Sequence, residues 1–326
     1  MPKPRSQQIS LLDTPYYHIC SRTVRKAFLC GTDKETGVSF EHRRTWIEKR
    51  IFQLSDVFSI DVCAYAVMHN HLHLVLHVNT EQMRSWSTEE ILNRWHQLYK
   101  GTLLTKKYSN KQPLDKFQLA MVESTANIYK ERLMDISWFM RSLNEPIARQ
   151  ANREDNCTGH FWEGRFKSQA LLDEGALLSC MAYVDLNPVR AAIAPTPEQS
   201  DFTSVQLRIK AAIKGEQPTS LLPFSGNEHQ QKTTGIRFSL HDYLTLVDET
   251  GRILRDDKRG TIKSKTKNIL ARLHISDESW LKLTTEFECI FTGAVGTAEH
   301  LSEFSGHVGL QRTHGIANAQ ACLNST

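Results

Sequence analysis

The segment MHNHLHLVLHV, ending at Val78, restricts this chain more than any other stretch of its 326 residues. From His71 onward it alternates strictly, so on a strand His71, His73, Val75 and His77 share one face while Leu72, Leu74, Leu76 and Val78 share the other. The apolar face must be covered by helices. The opposite face carries two imidazoles on adjacent same-side positions, about 6.6 Å apart at the backbone, close enough for their ring nitrogens to converge on one divalent ion. A pair of strand histidines bonded only to neighbours or solvent fits the same pattern, and two histidines make an incomplete metal site, so a further ligand is needed.

The flanking sequence fixes the class of fold. YYHICSR, Tyr16 to Arg22, alternates and is rich in β-favouring residues. Trp46, Ile47, Ile51, Leu54, Val57 and Phe58 recur at helical spacing, and Ser59 to Met68 reads as a second strand, joined by His69-Asn70 to the histidine strand as a hairpin. Leu133 to Ala151 has helical periodicity interrupted by Pro146, which predicts a kink near Asn144. A fourth strand is predicted around Ser168 to Leu172, and Asp173 N-caps a helix through Val184. Together these predict an α+β fold of ferredoxin-like βαββαβ type. A polar segment, about 80 to 132, interrupts it, its Lys-rich KKYSNKQPLDK reading as an exposed loop.

Composition sets the outer limits. The length predicts two domains, and the polar, Pro- and Gly-bearing stretch after Lys210 puts the boundary there, giving a core of residues 1–210 and a mostly helical extension of 211–326. Seven scattered cysteines without a CxxC pair exclude zinc-ribbon and disulfide scaffolds. No stretch approaches the roughly 18 apolar residues of a membrane span, and MPKPRSQQISLLDTP lacks the apolar core of a secretory signal, which predicts a soluble cytoplasmic protein. A formal charge of +4 names no polyanionic partner by itself.

The missing ligand is sought in CMAYVDLNPVRAAIA, where Tyr183 and Asn187 are four residues apart and share one side of a helix. Pro188 disfavours helical geometry at Asn187, so the helix either ends there and frees Asn187 or loses that relation.

Three motifs in order, HisLeuHis after an apolar strand, GHFWEGRFKS, and YVDLNPVRAAI, resemble those of the REP-associated tyrosine transposases, relatives of the HUH single-strand transposases of bacterial insertion sequences. The resemblance runs from about Tyr16 to Ser204. It implies that His71 and His73 bind a divalent metal, Mg²⁺ or Mn²⁺, that Tyr183 is the nucleophile toward DNA, and that Asn187 is a third metal ligand. It further implies a single-stranded DNA substrate with a hairpin or imperfect palindrome, a nucleoid-associated location, and a monomer rather than a homodimer. The insertion and the C-terminal extension lie outside what a minimal family member carries.

DNA binding is expected from local basic residues: Arg165, Lys167 and Arg190 near the motifs, and the stretch Arg252 to Arg272. That stretch holds Arg252, Arg255, Lys258, Arg259, Lys263, Lys265 and Lys267 against only Asp256 and Asp257. Three functions follow from these residues: a metal-dependent transposase, a repeat-DNA-binding regulator whose catalytic site has decayed, or a metalloprotein using the histidines without the tyrosine.

Overall fold

The computed structural model describes residues 4–24, 28–33, 35–226, 235–255 and 264–323. The chain begins with β1 (Tyr16–Arg22), α1 (His42–Val57), β2 (Ile60–Val67) and β3 (His71–Val78). Five helices follow: α2 (Thr80–Ser85), α3 (Thr88–His96), α4 (Leu103–Ser109), α5 (Lys116–Leu133) and α6 (Ile136–Glu154). Then come β4 (Lys167–Ala170), α7 (Glu174–Asp185), the single turn α8 (Asn187–Arg190) and α9 (Ser204–Ala212). The C-terminal part holds α10 (Leu240–Arg255), α11 (Ser264–Arg272), α12 (Asp277–Ile290), α13 (Ala298–His307) and α14 (Ile316–Cys322).

The four strands form one sheet in the order β2-β3-β1-β4, with β1 antiparallel to both β3 and β4. This is the split βαβ arrangement that the order of elements predicts, with helices added C-terminally. The register sets Arg22 opposite His71, Cys20 opposite His73 and His18 opposite Val75 across one boundary, and Cys20 opposite Lys167 and His18 opposite Gln169 across the other. Directly opposed residues share a face, so one surface of the sheet gathers His18, Cys20, Arg22, His71, His73, Lys167 and Gln169.

The chain divides into two compact units, residues 1–44, 62–77 and 163–326 in one, and residues 45–61 and 78–162 in the other. Composition placed a boundary after Lys210; the C-terminal helices instead belong to the unit that holds most of the sheet. The reason is a shared core. Val75 of β3, Leu178 and Met181 of α7, Leu246 of α10, and Trp280, Leu283 and Phe287 of α12 form one buried cluster. Trp280 Nε1 donates to Thr250 Oγ1 at 2.9 Å inside it, so even the indole is satisfied without water.

The other unit is helical, and one expectation changes there. The Lys-rich segment is partly helix, since α4 takes in Lys106 and Lys107, and α5 opens at Lys116 behind an Asp115–Gln118 capping box. Helix α6 continues through Pro146. Proline removes the N–H that would have bonded the carbonyl of Ser142, and Arg50 Nε donates to that carbonyl instead at 3.0 Å. Trp95 anchors this unit, with Tyr129 at 4.2 Å and Tyr99 at 4.4 Å between ring centroids.

Candidate active site

The polar face of the sheet is built around His73. Its side chain is 1 % exposed, and the His71 ring stands perpendicular to it at 4.8 Å between centroids. Tyr183, on α7, stands nearly perpendicular to both rings, at 5.8 Å from His73 and 6.3 Å from His18 between centroids. Period-two alternation thus puts both histidines on one face, and the tyrosine approaches the same face.

Both histidines use Nδ1 for hydrogen bonding. His71 Nδ1 lies 2.7 Å from Asn70 Oδ1, and His73 Nδ1 lies 3.0 Å from His18 Nε2. Among the described residues neither Nε2 has a hydrogen-bond partner, so each is the atom left to bind a metal. Burial holds both rings in the neutral state that ligation needs: His71 is pushed down to about 4 by burial, then by Arg22, and His73 well below its ordinary range by burial, then by His18 and His71.

The Tyr183 side chain is 7 % exposed, and its hydroxyl makes no hydrogen bond among the described residues. Burial raises its pKa and the Arg190 guanidinium opposes that rise. Arg190 stacks 4.1 Å over the Tyr183 ring, with Nη1 donating to Thr284 O at 2.9 Å and to Tyr183 O at 3.3 Å. The basic residue expected on a DNA-facing surface is therefore turned inward, beside the tyrosine, where its charge favours the phenolate form.

Helix α12 completes the site. Phe287 packs on Tyr183 at 5.7 Å between centroids, and Glu288 brings Oε1 to 3.9 Å from His73 Nδ1. His18, Gln169 and Glu288 were not among the residues singled out from sequence. Alternation places His18 on one side of its strand, but which strands it meets is set by register, and Glu288 depends on how a distant helix docks.

Asn187 stands just past a break in the helix. The chain turns at Leu186 (φ −88°, ψ 0°), Asn187 opens α8 ahead of Pro188, and its buried side chain makes no hydrogen bond to either histidine among the described residues. Helix α7, which carries Tyr183, thus ends before Asn187, which begins a separate turn with Pro188 near its start.

Of the other basic residues, Arg165 and Lys167 are exposed and line a cavity of about 620 Å³ that also touches His18, Gln169, Glu288 and Phe291. Arg252 pairs with Asp248 at 2.9 Å and Lys267 with Asp277 at 2.9 Å, while Arg255 Nε donates to Gly251 O at 3.3 Å. These cations are already partly neutralised or engaged. Lys258, Arg259, Lys263 and the side chain of Lys265 lie outside the described residues. Among the described residues no helix is long and apolar enough to cross a membrane.

No family model matches the chain, and no curated protein matches it. A solved structure described as "Structure of the REP associates tyrosine transposase bound to a REP hairpin" is similar to it, at 12% identity and a TM-score of 0.37, covering 73% of this chain and 99% of that one. It comes from the family that the three sequence motifs resemble.

Proposed function

We propose that this protein is a metal-dependent tyrosine transposase and endonuclease that nicks and rejoins single-stranded DNA at hairpin-forming repeats. The observation that carries the reading is the meeting of two neutral histidines and a tyrosine on one face of the sheet, with both Nε2 atoms and the tyrosine hydroxyl unengaged among the described residues. The donor set fits a divalent cation: two lone-pair nitrogens, whose softness favours Mn²⁺ over Mg²⁺. His71 and His73 would hold it, and Asn187 is the proposed third donor by resemblance. When bound, the metal would neutralise the nonbridging oxygens of the phosphodiester and the departing 3′ oxygen as a Lewis acid.

The chain's own residues account for the rest. Tyr183 Oη attacks phosphorus, the bond from phosphorus to the 3′ oxygen breaks, and the phenolic proton ends on that oxygen. The products are a 5′-phosphotyrosine and a free 3′-hydroxyl, and the reverse step rejoins the strand. Arg190 lowers the cost of removing the proton from a tyrosine that burial makes a weak acid. His71, His73 and Tyr183 meet within one chain, so the site needs no second copy, and a monomer is the state proposed by resemblance. Arg165 and Lys167 would meet the DNA backbone beside the site, and the location proposed is the cytoplasm, on the nucleoid.

The test is incubation of the protein with a hairpin-bearing single-stranded oligonucleotide and Mn²⁺. A covalent protein–DNA adduct is expected, absent from Tyr183→Phe while hairpin affinity stays nearly unchanged. Binding without cleavage would instead make the protein a repeat-binding regulator, and cleavage that survives Tyr183→Phe would make it a metallohydrolase.

A further inference from the structure

His18, His73 and Glu288 bring one potential ligand atom each within 4.8 Å of one another, which looks like a metal trio. The geometry of the two rings argues otherwise. Their nearest nitrogens are 3.0 Å apart, their centroids 5.2 Å, and their planes differ by 12°. The centroid separation is that of two ring radii laid end to end with the short contact between them, so the nitrogens point straight at each other in nearly one plane. That is an in-line hydrogen bond. Two metal–nitrogen bonds laid in line would span about 4.2 Å, so no ion fits along this contact.

The direction of that hydrogen bond follows from the far end of the chain of contacts. Gln169 Nε2 donates to the carbonyl of Phe291, which accepts only, and this fixes the orientation of the amide. Gln169 Oε1 therefore faces His18 Nδ1, at 2.6 Å, and His18 Nδ1 must carry the proton. His18 is 1 % exposed and its Nδ1 is bonded to an uncharged amide, surroundings that hold the ring neutral and leave Nε2 with a lone pair. That lone pair accepts from His73 Nδ1–H. His73 is left with its own lone pair on Nε2, the same nitrogen that His71 leaves open by bonding Asn70 through Nδ1.

We infer that His18 and Gln169 are positioning residues that hold His73 in the tautomer whose Nε2 is ready to bind a metal, and that the Phe291 carbonyl, just beyond α12, anchors the relay. The inference rests on the reading of His71 and His73 as a metal-binding pair. It gives the C-terminal segment a defined task at the site, since the state of a histidine on β3 is set by a carbonyl more than two hundred residues further along. Partners of this kind typically change metal affinity ~10–100-fold when lost.

The test uses the full-length, metal-free protein with ¹⁵N-labelled histidine at neutral pH. Long-range ¹H–¹⁵N correlation spectra should show His18 and His73 protonated on Nδ1 and unprotonated on Nε2. Mn²⁺ titration should then give an affinity ~10–100-fold weaker in His18→Leu, which offers no acceptor, and restored toward the wild type in His18→Gln, whose amide oxygen can accept from His73 Nδ1–H. A wild-type His73 protonated on Nε2 would overturn the inference whatever the variants do. So would unchanged Mn²⁺ affinity in a folded His18→Leu. If the tautomers are as expected but the wild type binds no Mn²⁺, it is the metal reading of the site that fails.

Discussion

Helix α7 carries two buried polar clusters two residues apart, and they differ in what they leave unused. On one side Asp185 is 0 % exposed, and its carboxylate accepts from Ser204 Oγ, from Val205 N at 2.9 Å and from Tyr243 OH at 2.5 Å. Both oxygens are occupied by the fold itself, tying α7 to α9 and α10. On the other side the Tyr183 hydroxyl and the Nε2 atoms of His71 and His73 have no partner among the described residues. A buried polar group is costly unless it is satisfied, so groups left unsatisfied next to an opening mark a place where something else binds. Arg208 shows that access matters too. Among the described residues its Nε and Nη1 lack partners, yet it is 0 % exposed and sits over Phe224, closed off from any ligand.

Substitutions on the two sides should therefore fail in different ways. The largest effect belongs to His71→Ala. Losing a direct ligand exceeds the ~10–100-fold cost of losing an outer partner, so the Mn²⁺-dependent cleavage rate should fall more than about 100-fold while the midpoint of urea unfolding barely moves. Equal loss of stability would make His71 a structural residue and erase the contrast. Asp185→Ala should do the reverse. It strands the donors of Ser204, Val205 and Tyr243 and should cost about 2–3 kcal/mol in urea unfolding, with the cleavage rate per folded molecule preserved.

The pH dependence sharpens the same point. Burial raises the Asp185 carboxyl from its ordinary 3.8 to about 6, against hydrogen bonds from Ser204 and Tyr243 that pull it down. The folded state then holds this proton more tightly than the unfolded state, so stability is greatest below pH 3.8 and declines as pH rises toward 6. Between pH 4 and 6 the wild type should lose about 2 kcal/mol relative to Asp185→Asn, which has no such proton. Parallel stability curves would show that Asp185 is ionised throughout. The smallest effects concern the basic residues. Lys167→Ala should reduce the salt slope of hairpin binding by about one unit, whereas Arg252→Ala, already paired with Asp248, should change it less. The opposite ranking would move the DNA path to the C-terminal helices.

Much of this was legible in the chain because periodicity carries it. Alternation in His71 to Val78 put two imidazoles on one face, and the succession of period-two and helical segments led to the four-stranded sheet. What periodicity does not encode is register and docking. His18 stands in an alternating strand like any other, and only pairing of β1 with both β3 and β4 sets it between Gln169 and His73. The same holds for Glu288 and Phe287, whose helix was expected as a helix but assigned to a separate domain, because local composition after Lys210 says nothing of the Trp280 and Leu283 side chains that bury it against α7. Pro146 illustrates the converse. Its local preference is overridden by one long-range donor, Arg50, which takes the carbonyl that proline leaves unbonded.

On the proposed function, the Tyr183 hydroxyl oxygen is the atom that links this protein to DNA. The most direct measurement is mass-spectrometric mapping of the peptide that retains nucleotide after reaction of the full-length protein with a hairpin-bearing single strand and Mn²⁺. A phosphodiester-linked nucleotide is expected on Tyr183, attached through its 5′ phosphate, and none in the His71→Ala protein. Nucleotide attached to any other residue, or a cleaved strand with no linked peptide, would contradict it.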